Sequence, residues 1–515
     1  MPKSLSLSAL LLISLSCLSV NAQTNFGSVA VYDHATMDVP VTVPAASSFT
    51  SINAVILGTT LYSDFGKIDG GTCATGVNYT AGETCTVRVM FTPRYPGLRM
   101  GAVVLHSSAT NAFAITYIEG TGTGTSIVFS PAPAIASGSQ DSPSSPFTAA
   151  KLANPQYPAY DGNQNLYLFD PTIATGAVVK IPFTGEATTS TLIPRGTSGQ
   201  TVGTTIKAIA VDGAGNRIIV GQNIAFSMPQ GSNTGQVYQD SYAGPASGAS
   251  FTAAAVDAKG NIFLLNAAYG DIIEFPGGDS QATPTHYPLM VDGEPLMNPS
   301  GLAVDGMGNL YVSDTGNNRV VEYPAGGGAP NLIAPTVHGK TLNAPGGLAV
   351  DGVGSLYICD TMNHRVVEIP AGGSPAFEII PTVNNIPLGA PKGITIIAGG
   401  SFFIADPDNA RVVEVMGIQT PSLSFSPTAV GATSSDSPQT VEVQNIGTDS
   451  FNFTGVTFPT NFPAGSSANA CTSFTVLGAG QVCELSVTFK PHSPGVFKDA
   501  VQVSTPGTYV YNHQI

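Results

Sequence analysis

The stretch Gly301–Gly327, GLAVDGMGNLYVSDTGNNRVVEYPAGG, returns nearly unchanged at Gly347–Gly373 as GLAVDGVGSLYICDTMNHRVVEIPAGG. A chain that repeats itself at such a period folds as a series of like units, each burying its apolar surface against its neighbours. The Asp that opens the first turn recurs as Asp161, Asp212, Asp257, Asp305 and Asp351, and Ala398 stands at the matching place in a sixth, weaker copy. The spacing is roughly 45–51 residues throughout.

One copy predicts four short strands. Residues 301–305, 310–314, 319–323 and 331–334 are apolar and β-favouring, and turn-forming residues separate them. In the turn Asp305-Gly-Met-Gly-Asn309, Gly tolerates positive φ and Asp and Asn bond the local backbone. Four antiparallel strands per unit is the pattern of a propeller blade, and six units in a ring would bury both faces of every sheet.

Composition agrees with an all-β chain. There are 58 Gly and 39 Pro, charged residues are only 10%, and no long apolar stretch outside the N-terminus has helical spacing. A length of 515 residues implies several domains. The net charge is -15, with no basic cluster, which excludes a nucleic-acid partner.

The N-terminus reads as an export signal over residues 1–22. Lys3 precedes the apolar and serine run Leu5–Val20, and Val20-Asn-Ala22 offers small residues for cleavage before Gln23. A lipid anchor at Cys17 would want an apolar residue where Ser14 stands. No later segment has the length and hydropathy of a transmembrane helix. The expected location is secreted, periplasmic or at the cell surface. Cysteine spacing fits such a compartment: Cys73 and Cys85 are separated by the same interval as Cys471 and Cys483, which predicts two local disulfides. Cys359 is left over as a buried strand residue.

These cysteines belong to a larger duplication. Cys73, Cys85, Phe91, Pro93, Pro96 and Gly97 are matched by Cys471, Cys483, Phe489, Pro491, Pro494 and Gly495. Upstream, Phe26–Val31 parallels Phe425–Val430. The alternation of Thr86–Phe91 and Glu484–Phe489 predicts half-buried strands. Each copy resembles the immunoglobulin-like modules of the abnormal-spindle/Hydin type, which implies a β-sandwich serving as spacer or adhesion module. The second copy differs after Tyr511, so its last strand is short or supplied differently, leaving an exposed edge.

The central phrase, Asp314-Thr-Gly-Asn-Asn-Arg319 with its counterparts Asp360–Arg365 and Asp406–Arg411, resembles the NHL repeat. The resemblance implies a six-bladed propeller, mostly used for binding, with some enzymatic relatives. The expected organisation is a signal (1–22), an Ig-like sandwich (23–125), a linker (126–150), a six-bladed propeller (151–417) and a second, shortened Ig-like sandwich (418–515).

Chemistry is sparse. The pairs Asp314–Arg319, Asp360–Arg365 and Asp406–Arg411 recur in every regular unit, so they read as cross-strand braces rather than a site. The Asp-Gly-x-Gly-Asn turns lack the further carboxylates of a calcium loop. Only His286, His338 and His364 lie in the propeller, in no zinc-binding pattern, and no nucleophile elbow or phosphate loop occurs. No catalytic residue, cofactor or metal is assigned. The turns 315–318, 361–364 and 407–410 share one face with the loops between units, and loops on a rigid scaffold carry recognition. Asn317, Asn318, Asn363, His364, Lys392 and Asp408 are the candidate binding residues. The function expected is extracellular binding or adhesion to a protein, peptide or glycan. The alternatives are a metal-dependent lyase or hydrolase at the propeller axis, and a structural spacer.

Overall fold

The computed structural model describes residues 24–56, 64–108, 111–130, 134–137, 152–161, 165–173, 178–182, 190–192, 194–196, 199–202, 205–229, 232, 234–238, 250–291, 293–383, 385–417, 421–505 and 510–514. The expected signal and most of the expected linker lie outside them. The protein is all-β, and among the described residues the helical segments are single 3-10 turns such as Thr315–Asn317.

The N-terminal module has two facing sheets. One holds Thr24–Ala30, Asn111–Thr123, Gly97–Ser108 and Ser51–Ile56 in that order; the other holds Ala35–Thr42, Thr84–Phe91 and Phe65–Gly71. Burial alternates along Thr84–Phe91, and its inward side chains Val87, Val89 and Phe91 meet Phe65, Val103 and Ile118 in one core. Cys73 and Cys85 form the expected disulfide, as do Cys471 and Cys483. Closing a loop this short stabilises by roughly 3 kcal/mol in the chain-entropy account.

The repeated region forms consecutive sheets, antiparallel except where Arg195–Gly196 pairs in parallel with Thr234–Tyr238. Their innermost strands are Gln156–Tyr160, Ala208–Val211, Phe251–Val256, Leu302–Val304, Pro345–Val350 and Gly393–Ile396. Each adjoins the next, and the last adjoins the first, so the sheets close a ring. We number these sheets first to sixth in chain order. The second strands are buried on both faces: every residue of Leu310–Asp314, Leu356–Asp360 and Phe402–Asp406 is buried. Alternation vanishes there because a neighbouring sheet covers each side, as where Val312 meets Leu265 and Ile272, and Ile358 meets Tyr311 and Val320. Cys359 is one of these buried residues, and desolvation pushes its thiol well above the usual range.

The expected linker over 126–150 is corrected at two places. Ala134–Ser137 is a strand that pairs antiparallel with Arg411–Val415 and completes the sixth sheet. The ring therefore starts before residue 151 and is closed by strands from its two ends. Ile127–Ser130 is also a strand, and it pairs with Gln439–Asn445, which pairs with Val482–Val487. Ile127 and Phe129 lie in the core of the C-terminal module with Phe451, Phe462 and Leu485. That module is thus discontinuous, and the ring is inserted after its first strand. Two four-residue strands set among Pro, Ser and Gly carried too little periodicity to stand out.

Candidate functional site

The Asp of each brace does more than pair with its Arg. Asp314 and Arg319, Asp360 and Arg365, and Asp406 and Arg411 face each other across adjacent strands, with Nε to Oδ2 distances of 2.7, 2.7 and 2.8 Å. The second carboxylate oxygen accepts a backbone N–H from the loop leading into the same sheet: Met297 at 2.7 Å, Asn343 at 2.6 Å and Gly389 at 2.8 Å. The latch persists where the Arg is lacking. Asp170 accepts from Ala153 and Asn154, and Asn266, in place of Asp, accepts from Ser250. The Arg then fastens the same loop from outside. Arg365 donates to the carbonyls of Val337 and Lys340, and Arg411 to those of Ile386 and Pro387.

Four of the six candidate binding residues belong to this framework. Asn317 donates to Asp314, and Asn363 donates to Asp360 and to the Thr341 carbonyl. Asn318 and His364 sit in the left-handed region at φ 56° and 59°. Asn318 accepts from the Ala344 N–H, and His364 Nδ1 meets the Gly389 carbonyl. Lys392 and Asp408 extend exposed side chains on the same face. Sequence reasoning missed the apolar residues beside them: Met297, Met362 and Ile386 are 53%, 56% and 48% exposed. A methionine in a turn gives no periodic signal, so only its placement marks it.

The opposite face is occupied. Its first turns are closed by their Asp residues: Asp305 Oδ1 accepts the N–H groups of Met307 and Asn309, and Asp212 Oδ1 those of Ala214 and Asn216. The two glycines of these turns have separate jobs. Gly215, Gly308 and Gly354 take positive φ (76°, 88° and 99°), whereas Gly213, Gly306 and Gly352 do not. The latter admit the N-terminal module. A Cβ on Gly213 would lie 3.0 Å from the Gly101 carbonyl oxygen, and one on Gly306 would lie 2.9 Å from Leu98. Leu98 N–H donates to the Gly352 carbonyl at 2.8 Å. Tyr117 packs with Ala102, Val104 and Ala214, and its hydroxyl donates to Asp212 Oδ2 at 2.9 Å. Burial and the adjacent Asp212 raise the Tyr117 hydroxyl well above its usual range; burial also raises the Asp212 carboxyl. Tyr117→Phe is expected to lower stability by about 2 kcal/mol, the scale of a buried hydrogen bond to a carboxylate. Urea unfolding at neutral pH checks this.

The C-terminal module docks on the same side. Val482 N–H donates to Ser374 Oγ at 3.2 Å, and Gly400 abuts Val128 and Ile446. At this seam Glu368, 2% exposed, accepts from Gln444 Nε2 and packs against Tyr357. Burial, with Asp351 and Glu442 nearby, pushes the Glu368 carboxyl up to about 8. Burial also raises Glu442 to about 7, helped by Glu484, and Asp351 to about 6.

Of the three propeller histidines, His286 bonds Asp271 and His338 bonds Glu378, both at 2.7 Å. Among the described residues no three His, Cys, Asp or Glu side chains converge as a metal-ligand set. No helix among them is long and apolar enough to cross a membrane.

Comparison with known proteins adds the following. No curated protein matches the chain significantly. An auxiliary nutrient binding protein from Bacteroides thetaiotaomicron is 12% identical, with TM-score 0.42 over 76% of this chain and 95% of that one. Virginiamycin B lyase from Staphylococcus aureus, in a catalytically inactive form with quinupristin, is 10% identical, with TM-score 0.37 over 74% and 99%. A gluconolactonase from Xanthomonas campestris is 17% identical, with TM-score 0.39 over 51% and 86%. Residues 296–323 match the NHL repeat family, which places an NHL repeat in the fourth sheet of a propeller-like ring.

Proposed function

We propose that the protein is an exported binding protein: a six-bladed NHL-type propeller that presents one face to a ligand and carries an Ig-like module at each end of its sequence. One observation carries the reading. Both modules dock on the face of the first turns, through Tyr117 and Leu98 on one side and Val482 on the other, so the hairpin face is the one left for recognition. That face is stiff, because the Asp latches hold its loops, and a preorganised surface loses less entropy on binding. Its exposed Met297, Met362 and Ile386 beside Lys392 and Asp408 suit a polypeptide, since methionine adapts to varied partners. Two matched disulfides fit an oxidising compartment.

The test is to screen the purified protein on peptide and glycan arrays and to remeasure any ligand against the triple variant Met362→Ser, Lys392→Glu, Asp408→Lys. A loss of affinity of about tenfold or more is expected. Unchanged affinity overturns the placement. A stoichiometric metal held at the propeller axis overturns the non-catalytic reading in favour of a lyase or hydrolase, and silence on both arrays favours a spacer.

A further inference from the structure

The innermost strands run from the hairpin face to the face of the first turns, so the residues that open them ring the axis at its hairpin-face end. Their registers align around the ring: Ala159 faces Tyr167, Ala210 faces Ile218, Ala255 faces Phe263, Ala303 faces Tyr311, Ala349 faces Tyr357 and Thr395 faces Phe403. Three residues before these stand Gln156, Lys207, Thr252, Ser300, Gly346 and Lys392. The two lysines hold the place as Ser300 does. Lys207 N–H donates to the Val220 carbonyl at 2.7 Å, Ser300 N–H to that of Ser313 at 3.2 Å, and Lys392 N–H to that of Ala405 at 3.1 Å.

This ring carries charge of one sign. Its other four members are neutral, and so is the residue on either side of all six. Lys392 is exposed and Lys207 half-buried, and neither ammonium group has an ion pair or hydrogen bond among the described residues. The carbonyls around the ring are already taken. Pro299 accepts from Thr252 Oγ1 at 3.0 Å, Pro345 from Thr315 Oγ1 at 2.8 Å, Pro391 from Thr361 Oγ1 at 2.8 Å, and Lys392 from the Gly347 N–H at 3.0 Å. Asp408, an exposed carboxylate of this face, belongs to a turn between second and third strands and so lies outside the ring. The aspartates of the first turns come five residues later on the same strands, roughly 16 Å away, about twice the screening length at physiological salt.

We propose that this end of the axis is an anion anchor, at which Lys207 and Lys392 together hold the carboxylates of an acidic polypeptide segment lying on the hairpin face. This deepens the binding reading given above and rests on it. The two lysines belong to the second and sixth sheets, the neighbours of the first, so they flank one sector of the ring. No internal partner has to be displaced before they meet a ligand, which spares part of the usual desolvation and reorganisation cost. Exposed Met297, Met362 and Ile386 on the same face suit apolar residues beside such an acid, which favours a peptide over a sulfated glycan. The net charge of -15 repels anions from the surface at large, so the anchor selects a place on the molecule rather than adding to a general attraction.

The experiment titrates the whole protein into rhodamine-labelled tetraglutamate, amidated at its C-terminus, and follows fluorescence anisotropy. Saturable one-to-one binding is expected at low salt, weakening as salt is raised. Tetraglutamine with the same label is expected to bind at least about tenfold more weakly, and the double variant Lys207→Gln, Lys392→Gln to lose tetraglutamate by a similar factor at an unchanged urea midpoint. The double variant Lys207→Arg, Lys392→Arg is expected to keep the affinity within about threefold, which separates loss of charge from loss of structure. No saturable binding, equal binding of the two peptides, or a tetraglutamate affinity unmoved by the glutamine variant overturns the proposal. A heparin hexasaccharide that binds more tightly than tetraglutamate and needs the same lysines also overturns it, since a sulfated glycan would then be the occupant. The underlying reading fails separately. An array ligand weakened by Met362→Ser but not by the glutamine variant removes the anchor and leaves the hairpin face standing, whereas a ligand indifferent to both removes the two together.

Discussion

Replacing Arg365 with alanine is expected to destabilise the ring by about 3–5 kcal/mol, seen as a shift in the urea midpoint at constant slope. The side chain is 1% exposed. Its guanidinium donates to Asp360 (2.7 Å), Glu378 (2.7 Å), the Val337 carbonyl (3.0 Å) and the Lys340 carbonyl (3.0 Å). Truncation leaves a buried carboxylate unpaired and two carbonyls without donors, which costs more than the pair itself contributes. Arg319→Ala supplies the internal control. Arg319 is 23% exposed and holds Asp314 through Nε at 2.7 Å, so water can replace part of what it gives, and a loss of about 1–3 kcal/mol is expected. Equal costs at the two positions would falsify the account of Arg365 as a loop fastener. Hydrogen exchange adds a local readout, because the hairpin Thr336–Thr341 is expected to open in the Arg365 variant alone.

Glu368→Gln is expected to leave stability at pH 4 unchanged and to raise it by on the order of 4 kcal/mol at pH 9. The sign follows from proton binding. The unfolded chain releases the Glu368 proton near its ordinary value of 4.5, while the folded protein holds it until about pH 8. Between these values the folded state binds more protons, so wild-type stability falls as pH rises, at up to about 1.4 kcal/mol per pH unit, and levels off above pH 8. Glutamine cannot ionise, so the variant escapes this loss while its side-chain carbonyl still accepts from Gln444. Parallel unfolding curves for the two proteins across pH 4–9 would sink the reading. Asp351 and Glu442, raised to about 6 and about 7, shape the same window, so the wild-type transition is broader than that of one group.

The regular parts of the fold were legible in the sequence because they obey short periods. Strands such as Leu310–Asp314 and Arg365–Ile369 lie where the repeated phrase predicts them, and the matched cysteines pair as their spacing implies. Long-range pairing was not legible. Nothing local in Ile127–Ser130 says that its partner is Gln439–Asn445, or that Ala134–Ser137 belongs beside Arg411–Val415. The face proposed for recognition shows the same limit. Asn317 and Asn363 stood out as polar turn residues, and turn chemistry is what they do; exposed Met362 carried no pattern. The glycines of the first turns were read as conformational, yet Gly213, Gly306 and Gly352 answer to a surface of another module.

The strands that close the sixth sheet and seed the C-terminal module are adjacent in the chain, at Ala134–Ser137 and Ile127–Ser130. Their partners are synthesised some three hundred residues later, at Arg411–Val415 and Gln439–Asn445. Two early strands must therefore wait, unpaired, while the five intervening sheets emerge. Loop closure over that distance is entropically slow, and open strand edges invite wrong pairing meanwhile. Folding of this chain should thus be gated by a single late clasp, and a chaperone that shields residues 127–137 until their partners emerge would speed it more than one acting anywhere else.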